Sequence, residues 1–231
     1  MDESTTLGTA EFVHWQPLPW GSNGVWLVEL ALAGAPAGRA VYKPRADEVP
    51  LWDFPNGTLY RREYAAYLTC RALGWAFIPP TVIRTGPLGV GSLQRYIEHD
   101  PRTSYACFRQ ASDDQLQRIA LFDYLTNNAD RKAAHFLTDA NGRLWAIDHG
   151  LTFHTEPKQR TVLAAFFGRP LPPALLDPLR HWRATSAATR QLRQALADLL
   201  CCHEVEQFFH RLDRVLASGT IPEGRVRSVW W

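Results

Sequence analysis

The chain has 231 residues, a formal net charge of +2 and an apolar fraction of 46%, enough for one large domain or two small lobes around a sizeable core. That charge gives no case for nucleic acid or an anionic membrane as partner, and no run approaches the length of a membrane span. The polar start MDESTTLGT lacks the basic and apolar regions of a signal peptide, and Cys70, Cys107, Cys201 and Cys202 form no CxxC pair, so the expectation is a cytoplasmic protein with reduced thiols.

Residues 11–44 read as strands. EFVHWQPLPW is followed by the tight turn GSNG (21–24), then VWLVELALA, the turn APAG (35–38) and RAVYKP. The backbone N–H groups of residues 21–24, with the Ser22 hydroxyl, suit a loop that covers phosphates; a plain hairpin turn is the simpler reading of the turn alone. Lys43 shares a face with Val41 by period two. A lysine on an inward face is either a snorkelling edge residue or a buried cation with a partner. PRADEVPLWDFPNG has three prolines and no period, and reads as a structured loop anchored by Trp52 and Phe54. A helix then starts at the N-cap Thr58 and stops at Gly74. Its stripe of Leu59, Glu63, Ala66, Tyr67 and Cys70 includes a carboxylate, which is costly there unless paired. A Lys43–Glu63 ion pair resolves both oddities; a solvated Glu63 at the stripe's edge is the alternative.

Residues 77–100 hold two more strands, FIPPTVIRT and SLQRYIEHD, joined by GPLGVG. Gly86, Gly89 and Gly91 make a hairpin turn rather than a nucleotide loop, because no helix follows. Residues 101–111 are loop or short helix. Ser112 and Gln115 then form a capping box, with Asp113 and Asp114 in the first turn, and open a buried helix that runs to about Thr126. Residues 155–231 carry helical patterns at about 173–183, 186–202 and 203–217, with Gly219 as a stop. Arg180, Arg183, Arg190 and Arg193 read as a solvated face. A strand-rich part up to about residue 98 and a helical remainder place the natural site in a cleft between them.

The stretch after the buried helix holds Asp130, His135 and Asp148 around Asn141-Gly142, the dipeptide preferred in a two-residue type I′ hairpin. With that turn at the tip, Ala140 faces Arg143, Asp139 faces Leu144, Leu137 faces Ala146 and His135 faces Asp148. Opposed residues of an antiparallel pair have Cβ atoms roughly 4.5–5.5 Å apart, so the register predicts that two potential metal ligands become neighbours.

Asp130-Arg131-Lys132-Ala133-Ala134-His135, followed by Ile147-Asp148-His149-Gly150, resembles the catalytic and metal-binding loops of the protein-kinase-like superfamily. The likeness is to its phosphatidylinositol 3- and 4-kinase-like branch, with D-R-H-x-x-N and I-D-F-G motifs. The chain is also similar to small bacterial kinase-related proteins in which YKP (42–44), LWDFP (51–55), R-E-x-A-A-Y (62–67) and N-A-D-R-K (128–132) recur. The resemblance spans roughly residues 20–153 and leaves the helical tail uncovered.

The resemblance implies a single α+β domain with a two-lobed protein-kinase-like fold: a small antiparallel β N-lobe over about 8–98 and a mainly helical C-lobe over about 99–231. It implies an ATP-dependent phosphotransferase using Mg²⁺ or Mn²⁺, in which catalysis is positioning and charge neutralisation. Asp130 would orient the acceptor hydroxyl, with Lys132 near the transferring phosphate. Asp148 and His135 would hold the metal. Lys43, held by Glu63, would grip the α/β-phosphates. Ser22 and Asn23 in the turn would cover the triphosphate, and Gln94, Tyr96 and Ile97 would lead into the segment bordering the adenine. Two residues depart from the family's pattern. His135 stands where an Asn is usual, and imidazole is a softer ligand than Mg²⁺ prefers. His149 replaces the usual Phe and is expected as a packed imidazole donating to a carbonyl. His135 leaves open a pseudokinase that binds nucleotide without turnover, and a metal-dependent hydrolase using His135 and Asp148 is a third reading. The acceptor is unassigned; with no membrane-binding face, a protein or small molecule fits better than a lipid.

Overall fold

A computed structural model describes residues 3–19, 23–99, 104–223 and 227–228. Its N-terminal part is built on a five-stranded antiparallel sheet of β1 (Glu11–Pro17), β2 (Trp26–Leu32), β3 (Ala35–Pro44), β4 (Thr81–Gly86) and β5 (Gly89–Arg95), in the order β1-β2-β3-β5-β4. The turn expected at APAG is not there. Residues 35–38 belong to β3, and the chain reverses at Ala33-Gly34, with φ of 51° and 78°. That pair of positive φ values is what a two-residue type I′ hairpin needs. Val28, Leu30, Ala40, Tyr42 and Leu93 form one buried face. It is covered by α1 (Glu3–Thr9), a helix too polar to be read from its sequence, which adds Leu7. Arg84 on β4 donates to the carbonyls of Leu7 and Ala10, at 2.8 and 2.7 Å, and so closes the end of α1.

The other face of the sheet meets α2 (Leu59–Ala72), which ends before Gly74 at φ 75°, as expected. Its N-terminus is capped differently from expectation. The Thr58 hydroxyl donates to the Pro55 carbonyl. The carboxylate of Glu48 instead takes the N–H groups of Leu59 and Tyr60, at 3.1 and 2.8 Å. A carboxylate there satisfies two orphan donors and complements the helix dipole. Ala65, Ala66 and Cys70 of α2 share one buried cluster with the helices that follow, so α2 joins the sheet to the rest.

The C-terminal part comprises α3 (Ser104–Gln110), α4 (Asp113–Leu125), the short hairpin β6 (Phe136–Thr138) and β7 (Leu144–Ala146), β8 (Arg160–Thr161), α5 (Pro173–Ala184), α6 (Ser186–Ala197), α7 (Cys202–Ser218) and β9 (Arg227–Ser228), which pairs in parallel with β8. The capping box of α4 is present: Gln115 N–H donates to Ser112 Oγ at 3.3 Å and Ser112 N–H to Gln115 Oε1 at 3.1 Å. Ile119, Phe122, Phe153, Leu179, Leu196, Phe208 and Leu212 fill the core of this part. The helix expected over 186–202 stops at Ala197, and the one expected over 203–217 is α7, opened at Cys202 by Glu204 taking the N–H of Cys201 at 2.9 Å. Trp52, expected as a packing anchor, is 92% exposed. No helix among the described residues is long and apolar enough to cross a membrane. The architecture is α+β and two-lobed.

Because Glu48 caps α2 with two bonds, Glu48→Ala should lower stability by about 1 kcal/mol. Urea unfolding followed by circular dichroism checks this; an unchanged midpoint would remove Glu48 from the capping role.

Candidate active site

Lys43 lies opposite Ser92 on β5, and Val41 lies opposite Gln94, so this face of β3 turns toward α2. Lys43 Nζ pairs with Glu63 of α2 and reaches Asp148 Oδ1 at 3.0 Å. Glu63 is buried, and its second oxygen takes the N–H of His149 at 3.0 Å. One carboxylate thus ties the strand lysine to the loop of Asp148. Burial disfavours the charge on Lys43, but Asp148 and Glu63 outweigh it and hold the ammonium above its ordinary range. Lys43 in turn holds Asp148 well below the usual carboxylate range, with His135 adding to the effect.

The hairpin places His135 beside Asp148 by a route other than the expected one. Phe136 pairs with Ala146, Leu137 with Trp145 and Thr138 with Leu144, a register one residue away from that of a type I′ turn. Asn141 has no positive φ; Gly142 alone takes it, at 75°. Asp139 Oδ1 accepts from the N–H groups of Asn141 and Arg143, at 2.9 and 3.1 Å. This side-chain turn closes a three-residue loop. A slip of one residue would send Asp148 to the opposite face from His135, and Ile147 N–H indeed bonds to His135 O at 3.0 Å. Asp148, however, adopts φ 62°. This left-handed turn beyond β7 brings its carboxylate back, with Oδ2 3.3 Å from His135 Nε2.

Asp130 and Lys132 stand together, Oδ2 to Nζ 2.7 Å. Between them Arg131 is wholly buried and pairs with Asp123 of α4 through two bonds of 2.8 and 3.0 Å. It also donates to Ile147 O at 2.7 Å and to His149 Nε2 at 2.8 Å. Asn128 Nδ2 donates to Asp123 at 2.9 Å, and Asn128 Oδ1 takes the N–H of Asp130 at 3.0 Å. His149 is therefore an acceptor from Arg131, not the donor to a carbonyl that was expected. Burial and then Arg131 hold its pKa well below the ordinary value. It packs edge-on to Phe122, ring centroids 5.8 Å apart. Asp123 and the role of Arg131 were missed from the sequence, although a lone carboxylate inside LFDYL was the available signal.

The remaining expected residues are less directly placed. Ser22 lies outside the described residues. Asn23 spends its side-chain oxygen on Val49 N–H at 2.7 Å, in the loop before α2. Gln94 is buried and donates to Thr81 Oγ1 at 2.9 Å. Tyr96 N–H bonds to Arg39 O at 3.0 Å, and Ile97 packs with Leu137 and Trp145. A cavity of about 230 Å³ lined by Phe77, Gln115, Arg118 and Arg143 lies among other residues.

Among the described residues no group of three or more His, Cys, Asp or Glu stands together as a metal cage. Asp148 is half exposed and has His135 beside it, a two-ligand set that suits a cation completing its shell with phosphate oxygens and water. Burial first, then Arg131, pushes the His135 pKa down to about 4 against the pull of Asp148, so the imidazole is neutral near pH 7. Its Nδ1 takes a long 3.4 Å bond from Lys132 N–H. For Nε2 to face a cation, its proton shifts to Nδ1 and that bond is given up. The donor set fits such an ion.

No protein-family model matches the chain. Protein Rv2133c of Mycobacterium tuberculosis is 34% identical over 256 residues, covering 96% of this chain and 91% of its own. The structure of hydra Fam20 with sugar aligns over 98% of this chain and 91% of its own, with TM-score 0.62 and 14% identity. The Helicobacter pylori proinflammatory kinase CtkA aligns over 93% and 94%, with TM-score 0.52 and 11% identity. The fold is protein-kinase-like.

The lowered His135 pKa predicts a pH dependence in the metal-free protein. Between its ordinary value of 6.5 and about 4, the unfolded chain binds a proton that the folded chain does not. Stability from this residue is full above the upper value and falls by up to about 3 kcal/mol toward the lower. In urea titrations with a chelator present, His135→Asn should show a shallower loss on acidification; equal slopes would contradict the assignment.

Proposed function

We propose, for a chain that belongs to the family of Protein Rv2133c from Mycobacterium tuberculosis, that it is an ATP-dependent phosphotransferase of the phosphatidylinositol 3-/4-kinase-like branch, acting on a hydroxyl of a protein or small molecule. The observation that carries this reading is the junction of Lys43, Glu63 and Asp148, formed by β3, α2 and the loop after β7. It gathers a cation for phosphates and a carboxylate for a metal from both lobes.

In this reading Lys43 holds the α/β-phosphates, and Glu63 fixes its direction. Asp148, with His135, holds Mg²⁺ or Mn²⁺; imidazole tilts the choice toward Mn²⁺. The ion, when bound, neutralises charge on the phosphate oxygens. Asp130 orients the acceptor hydroxyl and takes its proton as the new P–O bond forms and the bond to the β-phosphate breaks. Lys132, already 2.7 Å from Asp130, screens charge beside it and lies near the moving phosphoryl group. The turn at 21–24, with Ser22 and Asn23, covers the triphosphate, and Gln94, Tyr96 and Ile97 border the adenine. A nucleotide-binding pseudokinase has less support, because both carboxylates that transfer needs, Asp130 and Asp148, are present, each beside a lysine.

ATP with Mg²⁺ or Mn²⁺ should raise the melting temperature, and Asp148→Ala should abolish the rise. Asp130→Ala should keep the rise but lower ATP turnover about 10²-fold or more. His135→Asn should raise turnover with Mg²⁺ relative to Mn²⁺. A wild-type protein whose melting ignores nucleotide under both metals would contradict the reading.

A further inference from the structure

Arg62, one residue before Glu63, is 1% exposed. Its Nη1 donates to Thr152 O at 2.7 Å, its Nη2 pairs with Glu204, and its Nε reaches Thr58 Oγ1 at 3.3 Å. The first two partners belong to the helical lobe. Thr152 follows the Asp148 loop and donates its hydroxyl to His149 O at 2.8 Å. Glu204 is itself held in the first turn of α7 by Cys201 N–H. The apolar contacts of Ala65, Ala66 and Cys70 are non-directional and tolerate rotation of a helix. A forked guanidinium bonded at two places does not.

We infer that Arg62 is a positioning residue: it fixes the rotation of α2 on the helical lobe so that its neighbour Glu63 stays on Lys43. This deepens the phosphotransferase reading and rests on it. A second tie, Lys158 Nζ to Asp53 Oδ2 at 2.8 Å with His154 Nε2 2.9 Å from Asp53 O, holds the loop before α2 to the same lobe.

The test is calorimetry of Mn²⁺ with a non-hydrolysable ATP analogue on the full chain, with folding checked by circular dichroism. Arg62→Lys keeps the charge but cannot bond Glu204 and Thr152 together. It should weaken analogue binding about tenfold, as should Glu63→Gln, and the double variant should be no weaker than Glu63→Gln alone, because both act through Lys43. Glu204→Gln, which keeps an acceptor but loses the charge, should weaken binding in the same direction and serves if Arg62→Lys does not fold. Losses that add in the double variant, or wild-type affinity in a folded Arg62→Lys or Glu204→Gln protein, would overturn the positioning role. If the wild type binds no analogue, the phosphotransferase reading itself fails and the role falls with it.

Discussion

Taking a guanidinium wholly out of water costs several kcal/mol unless acceptors meet its N–H groups. Arg131 is fully buried, and Asp123, Ile147 O and His149 Nε2 meet it. These partners come from α4, the exit of the β6–β7 hairpin and the loop that follows it. Its backbone adds a fourth connection, N–H to Arg160 O at 2.8 Å, which brings β8 alongside. Arg131 therefore ties the two loops of the site to each other and to α4. Removing either Arg131 or Asp123 strands the other charge, at about 3–5 kcal/mol. The same pair explains why a histidine serves at position 149. It stays neutral, accepts from Arg131 and packs against Phe122.

A second buried arginine repeats the arrangement on the other side of the site. Arg62 precedes Glu63, and Arg131 follows Asp130. In each case a buried guanidinium fixes the backbone, and the adjacent carboxylate points at a lysine: Glu63 at Lys43, Asp130 at Lys132. The two carboxylates to which the proposal assigns chemistry keep partial access to solvent, with side-chain exposures of 21% for Asp130 and 50% for Asp148. The buried pairs supply rigidity and leave the exposed groups open to a ligand, the division that a preorganised electrostatic site requires.

Much of this was legible where the signal is local. The Ser112–Gln115 box, the stop at Gly74 and the carboxylate inside the α2 stripe each lie within one helix, and the pairing of Lys43 with Glu63 was one of two readings that two misplaced charges allowed. The hairpin register was not legible, because Asp139 overrides the preference of Asn141-Gly142 by accepting two backbone N–H groups. The neighbours His135 and Asp148 were expected correctly through a register that the chain does not use; the positive φ at Asp148 restores what the slip removes. Arg62–Glu204 joins residues 142 positions apart, and no periodicity reports such a pair. Helix α1 escaped notice because its sequence is polar and its packing rests on Leu7 against a sheet formed later in the chain.

In the proposed function, Asp148, Lys43 and His135 together receive a metal–nucleotide complex. Anomalous diffraction at the manganese edge, from crystals grown with Mn²⁺ and a non-hydrolysable ATP analogue, tests it directly. The expected result is a manganese peak bonded to the Asp148 carboxylate and to phosphate oxygens, with Lys43 Nζ on the α- or β-phosphate. Nucleotide bound elsewhere, or manganese away from Asp148, would contradict it.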